Sequence, residues 1–80
     1  AISILQSNGK ISIDFDFDQT KTVEVSIFNL EGQFIIRNDQ RSVTNETLNY
    51  DLPERASGLY FLRITHSSTV SVTKLFVRNN

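Results

Sequence analysis

Cysteine is absent from this chain of 80 residues, which excludes disulfide bonds and thiolate metal sites. Methionine and tryptophan are also absent, and proline and histidine each occur once. No apolar run approaches the ~20 residues of a membrane-spanning helix, and the first residues show no signal-peptide pattern. We therefore expect one domain without a covalent crosslink, which at this length buries only roughly 60–65% of its unfolded surface.

Neither sign of charge is in excess, since the net charge is -1. Because the sequence also shows no basic patch, there is no electrostatic reason to expect nucleic acid or an anionic membrane as a partner. Hydrophobic residues make up 39% of the chain and charged residues 21%. That balance is typical of a globular domain rather than a disordered one.

Apolar and polar residues alternate with a period of two in much of the chain, which is the pattern of half-buried strands. The clearest case is residues 11–18, where isoleucine and phenylalanine alternate with serine and aspartate. Further strands are predicted around Ile2 and Ile4, and at residues 22–28, 34–37, 48–52, 58–64 and 70–78. About seven short strands without helical periodicity predict an all-β antiparallel sandwich, with a barrel as the competing closure.

Turn residues separate the predicted strands. Asn8-Gly9 is a strong hairpin signal, because both residues tolerate a positive φ. Gly32 occupies the position in residues 30–33 that needs special dihedral angles. The remaining connections are predicted at residues 19–21, at the polar and mobile residues 38–45, at residues 53–57 and in a hairpin turn at residues 65–68.

The stretch from Gly58 to Ile64 is predicted to be the central strand. Gly58 can enter it with a positive φ. Tyr60, Leu62 and Ile64 then point to one face, and Leu59, Phe61 and Arg63 to the other. Because apolar residues occur on both faces, we expect this strand to be covered on both sides.

Asp14, Asp16 and Asp18 project from one face of a predicted strand, about 6–7 Å apart in succession. Carboxylate oxygens are ligands that Ca²⁺ prefers, so these aspartates are the metal candidates. The run lacks the glycine and the distal glutamate of a helical calcium loop, and a solvated strand face countered by Lys10 or Lys21 is favoured. The prediction is no metal and no cofactor.

His66 is predicted to lie exposed in a turn beside Ser67 and Ser68. A nucleophile–base pair also needs an orienting group and an oxyanion site, and adjacency in a turn supplies neither. The sequence therefore predicts no enzyme.

Four aromatic residues could build a platform on which a sugar stacks: Tyr50, Tyr60, Phe61 and Phe76. The chain has no tryptophan, and most of these residues lie at alternating core positions. Packing in the core is therefore favoured over carbohydrate binding.

Four stretches together resemble the C-terminal sorting domain of the type IX secretion system of Bacteroidetes-type bacteria. Residues 8–13 resemble its Asn-Gly-Lys turn and first long strand, and residues 25–33 its aromatic-Asn-Leu-x-Gly element. Residues 57–64 are similar to its Ser-Gly-x-Tyr strand, and residues 72–77 to its closing strand with a lysine before the last hydrophobics. The order and spacing of the family are kept, although residues 3–7 lack the proline element that often precedes the Asn-Gly turn.

The resemblance implies an Ig-like β-sandwich that ends a larger secreted protein, and Ala1 in place of methionine agrees with a piece of a longer chain. It implies passage through the periplasm to the cell surface or the extracellular space. The implied partners are the outer-membrane translocon, a shuttle protein, a cell-surface sortase that removes the domain, and an N-terminal cargo domain. An accessory Ig-like or fibronectin-like binding module is the alternative.

The resemblance also selects the residues that the secretion machinery would recognise. These are Gly58, Tyr60, Lys74, Leu75, Phe76, Val77 and Arg78. The competing interpretation of residues 74–78 is an ordinary last strand whose charges discourage edge pairing, because a docking edge and a protected edge look alike in sequence.

Overall fold

The computed structural model describes residues 1–7, 9–52 and 58–77, and nearly all of these residues lie in β-strands. The five strands are β1 (Ile2–Ser7), β2 (Lys10–Asn29), β3 (Phe34–Asp51), β4 (Gly58–His66) and β5 (Thr69–Val77). All pairings are antiparallel within one sheet. This confirms the predicted all-β antiparallel class. The described residues contain no helix that could cross a membrane.

The predicted number of about seven strands is wrong, because two of the observed strands are long. The predicted strands at residues 11–18 and 22–28 are one strand, β2, which has 20 residues. The predicted strands at residues 34–37 and 48–52 are likewise joined in β3, which has 18 residues. The connection predicted at residues 19–21 is therefore a bend within β2, and the one predicted at residues 38–45 is continuous strand within β3.

Residues 19–21, predicted as a turn, form part of an irregularity inside β2. Asp16 pairs with Asn45 and Lys21 pairs with Val43, so residues 17–20 of β2 lie opposite Thr44 alone. Extra residues on one strand are the mark of a bulge, which bends the strand and increases its twist. The strand continues through this bend without reversing direction.

Residues 38–45, predicted as a polar mobile loop, form the middle of β3. Asp39 pairs with Val25, and the register continues without a break to Val43 opposite Lys21. Val43 is fully buried and anchors the segment. The backbone N–H of Asn38 donates to the Ser26 hydroxyl at 3.0 Å. The polar side chains therefore line a solvated strand.

The glycine turns appear where the sequence predicts them. Gly9 has a φ of 76° between β1 and β2, and Asn8, which is also predicted for this turn, lies outside the described residues. Gly32 has a φ of 84°, and the Asn29 side-chain oxygen accepts hydrogen bonds from the backbone N–H groups of Glu31 and Gln33 at 3.0 and 2.9 Å. These bonds fix the turn between β2 and β3.

The bend divides the sheet into two half-sheets that share β2 and β3. One consists of β1, the first part of β2 and the end of β3; the other consists of the start of β3, the end of β2, β4 and β5. Inward side chains of both half-sheets belong to one core cluster, which includes Ile13 and Phe15 from the first and Ile27 and Leu62 from the second. The sheet thus packs against itself as a sandwich, in agreement with the Ig-like class.

A hydrogen bond between two distant positions of β3 connects its two parts. The Tyr50 hydroxyl donates to the Asp39 carboxylate at 2.7 Å, and Arg41 Nε contacts the same carboxylate at 3.1 Å. The bond from Tyr50 and the Arg41 charge hold the pKa of Asp39 below its ordinary value of 3.8. Burial, and then the bond to Asp39, raise the pKa of Tyr50.

Tyr50→Phe is expected to lower the free energy of unfolding by about 1 kcal/mol at pH 7, the usual worth of one hydrogen bond. Because the folded-state pKa of Asp39 is lowered, its contribution is complete above 3.8 and is lost as the pH falls through the folded value. The difference between the two proteins should therefore shrink in acid. Urea unfolding at several pH values measures it, and a difference independent of pH down to about 2 would contradict this assignment.

Candidate functional site

The central strand β4 has one buried face and one half-exposed face. Gly58 enters it with a φ of 133°. Tyr60, Leu62 and Ile64 point into the core, with 9%, 0% and 2% of their surface exposed. Leu59, Phe61 and Arg63 face outward and are half-buried. The residues therefore divide between the two faces of β4 as predicted. The outer face, however, is only partly covered, whereas the sequence predicts cover on both sides.

The predicted recognition residues of the last strand, β5, alternate between the core side and the outer side of the sheet. Leu75 and Val77 are buried in the core, whereas Lys74 and Phe76 face outward. Phe76 lies opposite Leu59 with 65% of its surface exposed. Of the other predicted residues, Tyr60 is in the core, Gly58 is half-buried, and Arg78 lies outside the described residues. Only part of the predicted set can therefore be touched by a partner without unfolding.

A row of side chains that the sequence alone does not reveal crosses the outer surface of the second half-sheet. The ring centroids of Phe34 and Phe28 are 5.6 Å apart, and those of Phe28 and Phe61 are 5.5 Å apart. Lys74 lies next, paired with Phe61. The row therefore runs through β3, β2, β4 and β5 in that order. The sequence signal for it is slight: Phe28 interrupts the alternation of β2, but the pairing register decides which rings meet.

Two guanidinium groups accompany these rings. The Arg37 guanidinium carbon lies 4.5 Å from the Phe34 ring centroid. That of Arg63 lies 5.8 Å from the Phe28 centroid and 5.9 Å from the Phe34 centroid. Cations at such distances are attracted to the ring faces. We call this surface the aromatic–cation face, defined by Phe28, Phe34, Phe61, Arg37, Arg63 and Lys74.

The cations of the aromatic–cation face, Arg37, Arg63 and Lys74, form no ion pair in the part of the chain that the structure describes. The ion pairs among the described residues are Lys10–Asp51 and Arg41–Asp39, and neither includes a residue of this face. Glu24 is the nearest acidic residue in the outward series of β2, and its carboxylate accepts a hydrogen bond from Gln40 at 3.4 Å. The face therefore attracts anionic groups.

The predicted metal candidates lie on the outer surface of the first half-sheet. Asp14, Asp16 and Asp18 are exposed at alternate positions of β2, and Asp14 accepts a hydrogen bond from the Thr47 hydroxyl. Within residues 1–7, 9–52 and 58–77, the structure does not gather three acidic or histidine side chains into a metal-binding group. The arrangement is that of a solvated strand face.

The prediction of His66 as an exposed turn residue is wrong. His66 is the last residue of β4 and half-buried, and its ring centroid lies 5.3 Å from that of Phe17. The turn consists of Ser67 and Ser68, with φ values of 47° and 64°, as in a two-residue hairpin loop. The Nδ1 atom of His66 is buried without a hydrogen-bond partner among the described residues. Nδ1 is therefore not hydrogen-bonded to a hydroxyl among these residues, as the base of a nucleophile–base pair would be.

The four aromatic candidates for a sugar platform do not share a surface. Tyr50 and Tyr60 are buried, as the core interpretation predicts. Phe61 is half-buried on the outer surface, and Phe76 is exposed, so the core interpretation is wrong for Phe76. The exposed positions therefore belong to the outer surface of the second half-sheet rather than to a carbohydrate site formed by all four.

Comparison with known proteins supports a sorting role. A family model described as a secretion system C-terminal sorting domain matches residues 7–78. The match includes β2 to β5 and therefore the whole aromatic–cation face. No curated protein matches the chain.

Proposed function

Because the chain belongs to the family of secretion system C-terminal sorting domains and is a sorting signal for type IX secretion, we propose that it directs a larger cargo through the outer-membrane translocon. Type IX export leads toward the cell surface or the extracellular space. We further propose that these residues form a single domain at the C-terminal end of that cargo. The family match over residues 7–78 carries the proposal, and it does not favour an accessory binding module.

The proposed route passes through the periplasm and involves a shuttle protein and a cell-surface sortase. In this proposal the sortase removes the domain and attaches the cargo to the surface. The domain acts as a shape that partners recognise and performs no catalysis, in keeping with a family of sorting signals. A folded signal of this kind offers side chains at fixed positions and unpaired strand edges.

The proposed recognition residues contribute in two ways. Lys74 and Phe76 point outward from β5 and are offered to a partner directly. Tyr60, Leu75 and Val77 are buried and hold that strand in place. Gly58 starts β4 with a φ of 133°, which favours glycine. Arg78 remains a candidate from its position in the motif.

The proposal is tested by fusing the 80-residue chain behind a signal peptide and a fluorescent reporter in a host that has this secretion system. Export of the reporter to the surface or the medium is expected. The matched control is the same fusion in a host whose translocon gene is deleted, where the reporter should accumulate in the periplasm. Periplasmic retention in both hosts would contradict the proposal.

A further inference from the structure

The aromatic–cation face combines a continuous ring surface with dispersed positive charge. Its rings span β3, β2 and β4, and the row ends at Lys74 on β5. Neighbouring strands are about 4.8 Å apart, so the row is roughly 15 Å long and runs across the strands. An extended polypeptide of about five residues has the same length.

The placement of the cations indicates what kind of anion fits. Arg37 lies at one end of the row over Phe34, Arg63 lies beside the rings of Phe28 and Phe34, and Lys74 lies at the other end. A single phosphate or headgroup would engage one end of such a row. Several carboxylates spaced along an extended chain can engage all of it, and guanidinium groups bind carboxylates with good geometry.

The rings themselves are not free to act as a platform for a sugar. Phe28 and Phe61 are stacked, with 24° between their planes, and Arg37 covers the face of Phe34. These rings are also half-buried within a strand surface, so they do not project far enough to enter a membrane. The apolar part of a ligand would instead meet Val72 and Phe76 of β5, which are 56% and 65% exposed.

We propose that the aromatic–cation face is the docking site for an extended acidic segment of a partner protein, whose carboxylates meet Arg37, Arg63 and Lys74. Charge complementarity carries the choice of occupant, because these cations have no ion pair among the described residues. The inference rests on the proposed function, since the partner is a component of the secretion machinery. It places recognition on four strands rather than on β4 and β5 alone.

A second copy of this chain is a poorer occupant. Its acidic row at Asp14, Asp16 and Asp18 would be the complementary surface, but Asp14 already accepts a hydrogen bond from Thr47. Such a contact joins two different surfaces, so it would build a ring or an open chain of molecules rather than a symmetric dimer.

Direct binding is tested on the ¹⁵N-labelled 80-residue chain with synthetic peptides of about seven residues, the length that spans the row with one residue to spare at each end. One peptide alternates aspartate with valine, and its matched partner has asparagine in place of each aspartate. The aspartate peptide should bind at least roughly tenfold more tightly, with amide shifts centred on Phe28, Phe61 and Lys74. The double variant Arg37→Gln/Arg63→Gln should lose that preference, whereas Lys10→Gln/Lys21→Gln should keep it.

Equal binding of the two peptides, or binding of neither, would overturn the inference. It would also be overturned if polygalacturonate, or vesicles of phosphatidylcholine and phosphatidylglycerol, bound more tightly than the aspartate peptide and lost that binding in Arg37→Gln/Arg63→Gln. Concentration-dependent self-association abolished by the same double variant would assign the face to a second copy and would equally refute the proposal.

The reporter fusion separates this inference from the proposed function. Export of the Arg37→Gln/Arg63→Gln fusion should fall about tenfold relative to the unmodified fusion, while the Lys10→Gln/Lys21→Gln control stays within about twofold. Equal export of all three fusions would refute the docking site and leave the sorting role intact. Failure of the unmodified fusion to leave the periplasm would refute the sorting role itself.

Discussion

Leu62→Ala is expected to remove about 3 kcal/mol from the free energy of unfolding, in the usual range for truncating a buried leucine. Leu62 is fully buried in β4, pairs with Ile27 and belongs to the core cluster that both half-sheets share. A domain of this size is stable by only about 4–12 kcal/mol, so the loss is a large part of the total. Urea unfolding measures it directly, and the melting temperature should fall by about 12–24 °C.

The matched control is Val72→Ala, which also truncates an apolar side chain in the β4–β5 hairpin. Val72 is 56% exposed, so little apolar surface returns to water when it is shortened. Its cost should stay within about 1 kcal/mol. Similar losses for the two variants would mean that the core does not depend on β4 as described.

Phe76→Ser is expected to reduce export of the reporter fusion by roughly tenfold, as truncation of an aromatic anchor in an interface does. The folded state should hardly change, because the side chain is 65% exposed and points away from the core. The free energy of unfolding is therefore expected to stay within about 1 kcal/mol of the original value. Export assays and thermal melts on the same protein separate recognition from folding.

Leu5→Ser is the appropriate control for Phe76→Ser. Leu5 is 68% exposed on β1, in the first half-sheet, and its replacement should leave export unchanged. Deletion of residues 74–80 is a poorer test than the single substitution, because it also removes Leu75 and Val77 from the core. Normal export of the Phe76→Ser fusion would show that Phe76 is not a recognition residue.

Much of the fold could be predicted because burial imposes a strict period on the strands. Ile11, Ile13, Phe15 and Phe17 alternate in the sequence and are all buried in the structure. The predictions failed where a strand has little buried surface. Residues 38–45 contain Val43 as their one buried apolar side chain, and without a period of apolar residues the pattern resembles a loop.

The bend in β2 resembles a turn in the sequence for a related reason. Gln19 and Thr20 are exposed and Lys21 is half-buried, which is also the profile of a turn. Neither glycine nor proline occurs there, and the strand merely bulges opposite Thr44. The sequence also does not reveal that a two-residue loop of Ser67 and Ser68 suffices, and the prediction of His66 in the turn is therefore wrong.

The sequence predicts which stretches of the chain contribute to the candidate site, but not which side chains meet across neighbouring strands. The motifs identify the stretches that form β4 and β5, and alternation puts Leu59, Phe61 and Arg63 on one face of β4 without showing that this face is the outer one. The contact of Phe28 with Phe34 and Phe61 depends on strand register, which a single sequence does not fix where bulges intervene. The aromatic–cation face is therefore a property of the three-dimensional fold.

The sharing of β2 and β3 by both half-sheets has a consequence for how the domain opens. Opening of either half alone would expose inward side chains of the other, because both halves share β2, β3 and one core cluster. Slow amide protons of Ile13 and of Ile27 should thus exchange through the same whole-molecule event. A sorting signal built in this way presents its whole recognition surface when it is folded and loses all of it when it unfolds.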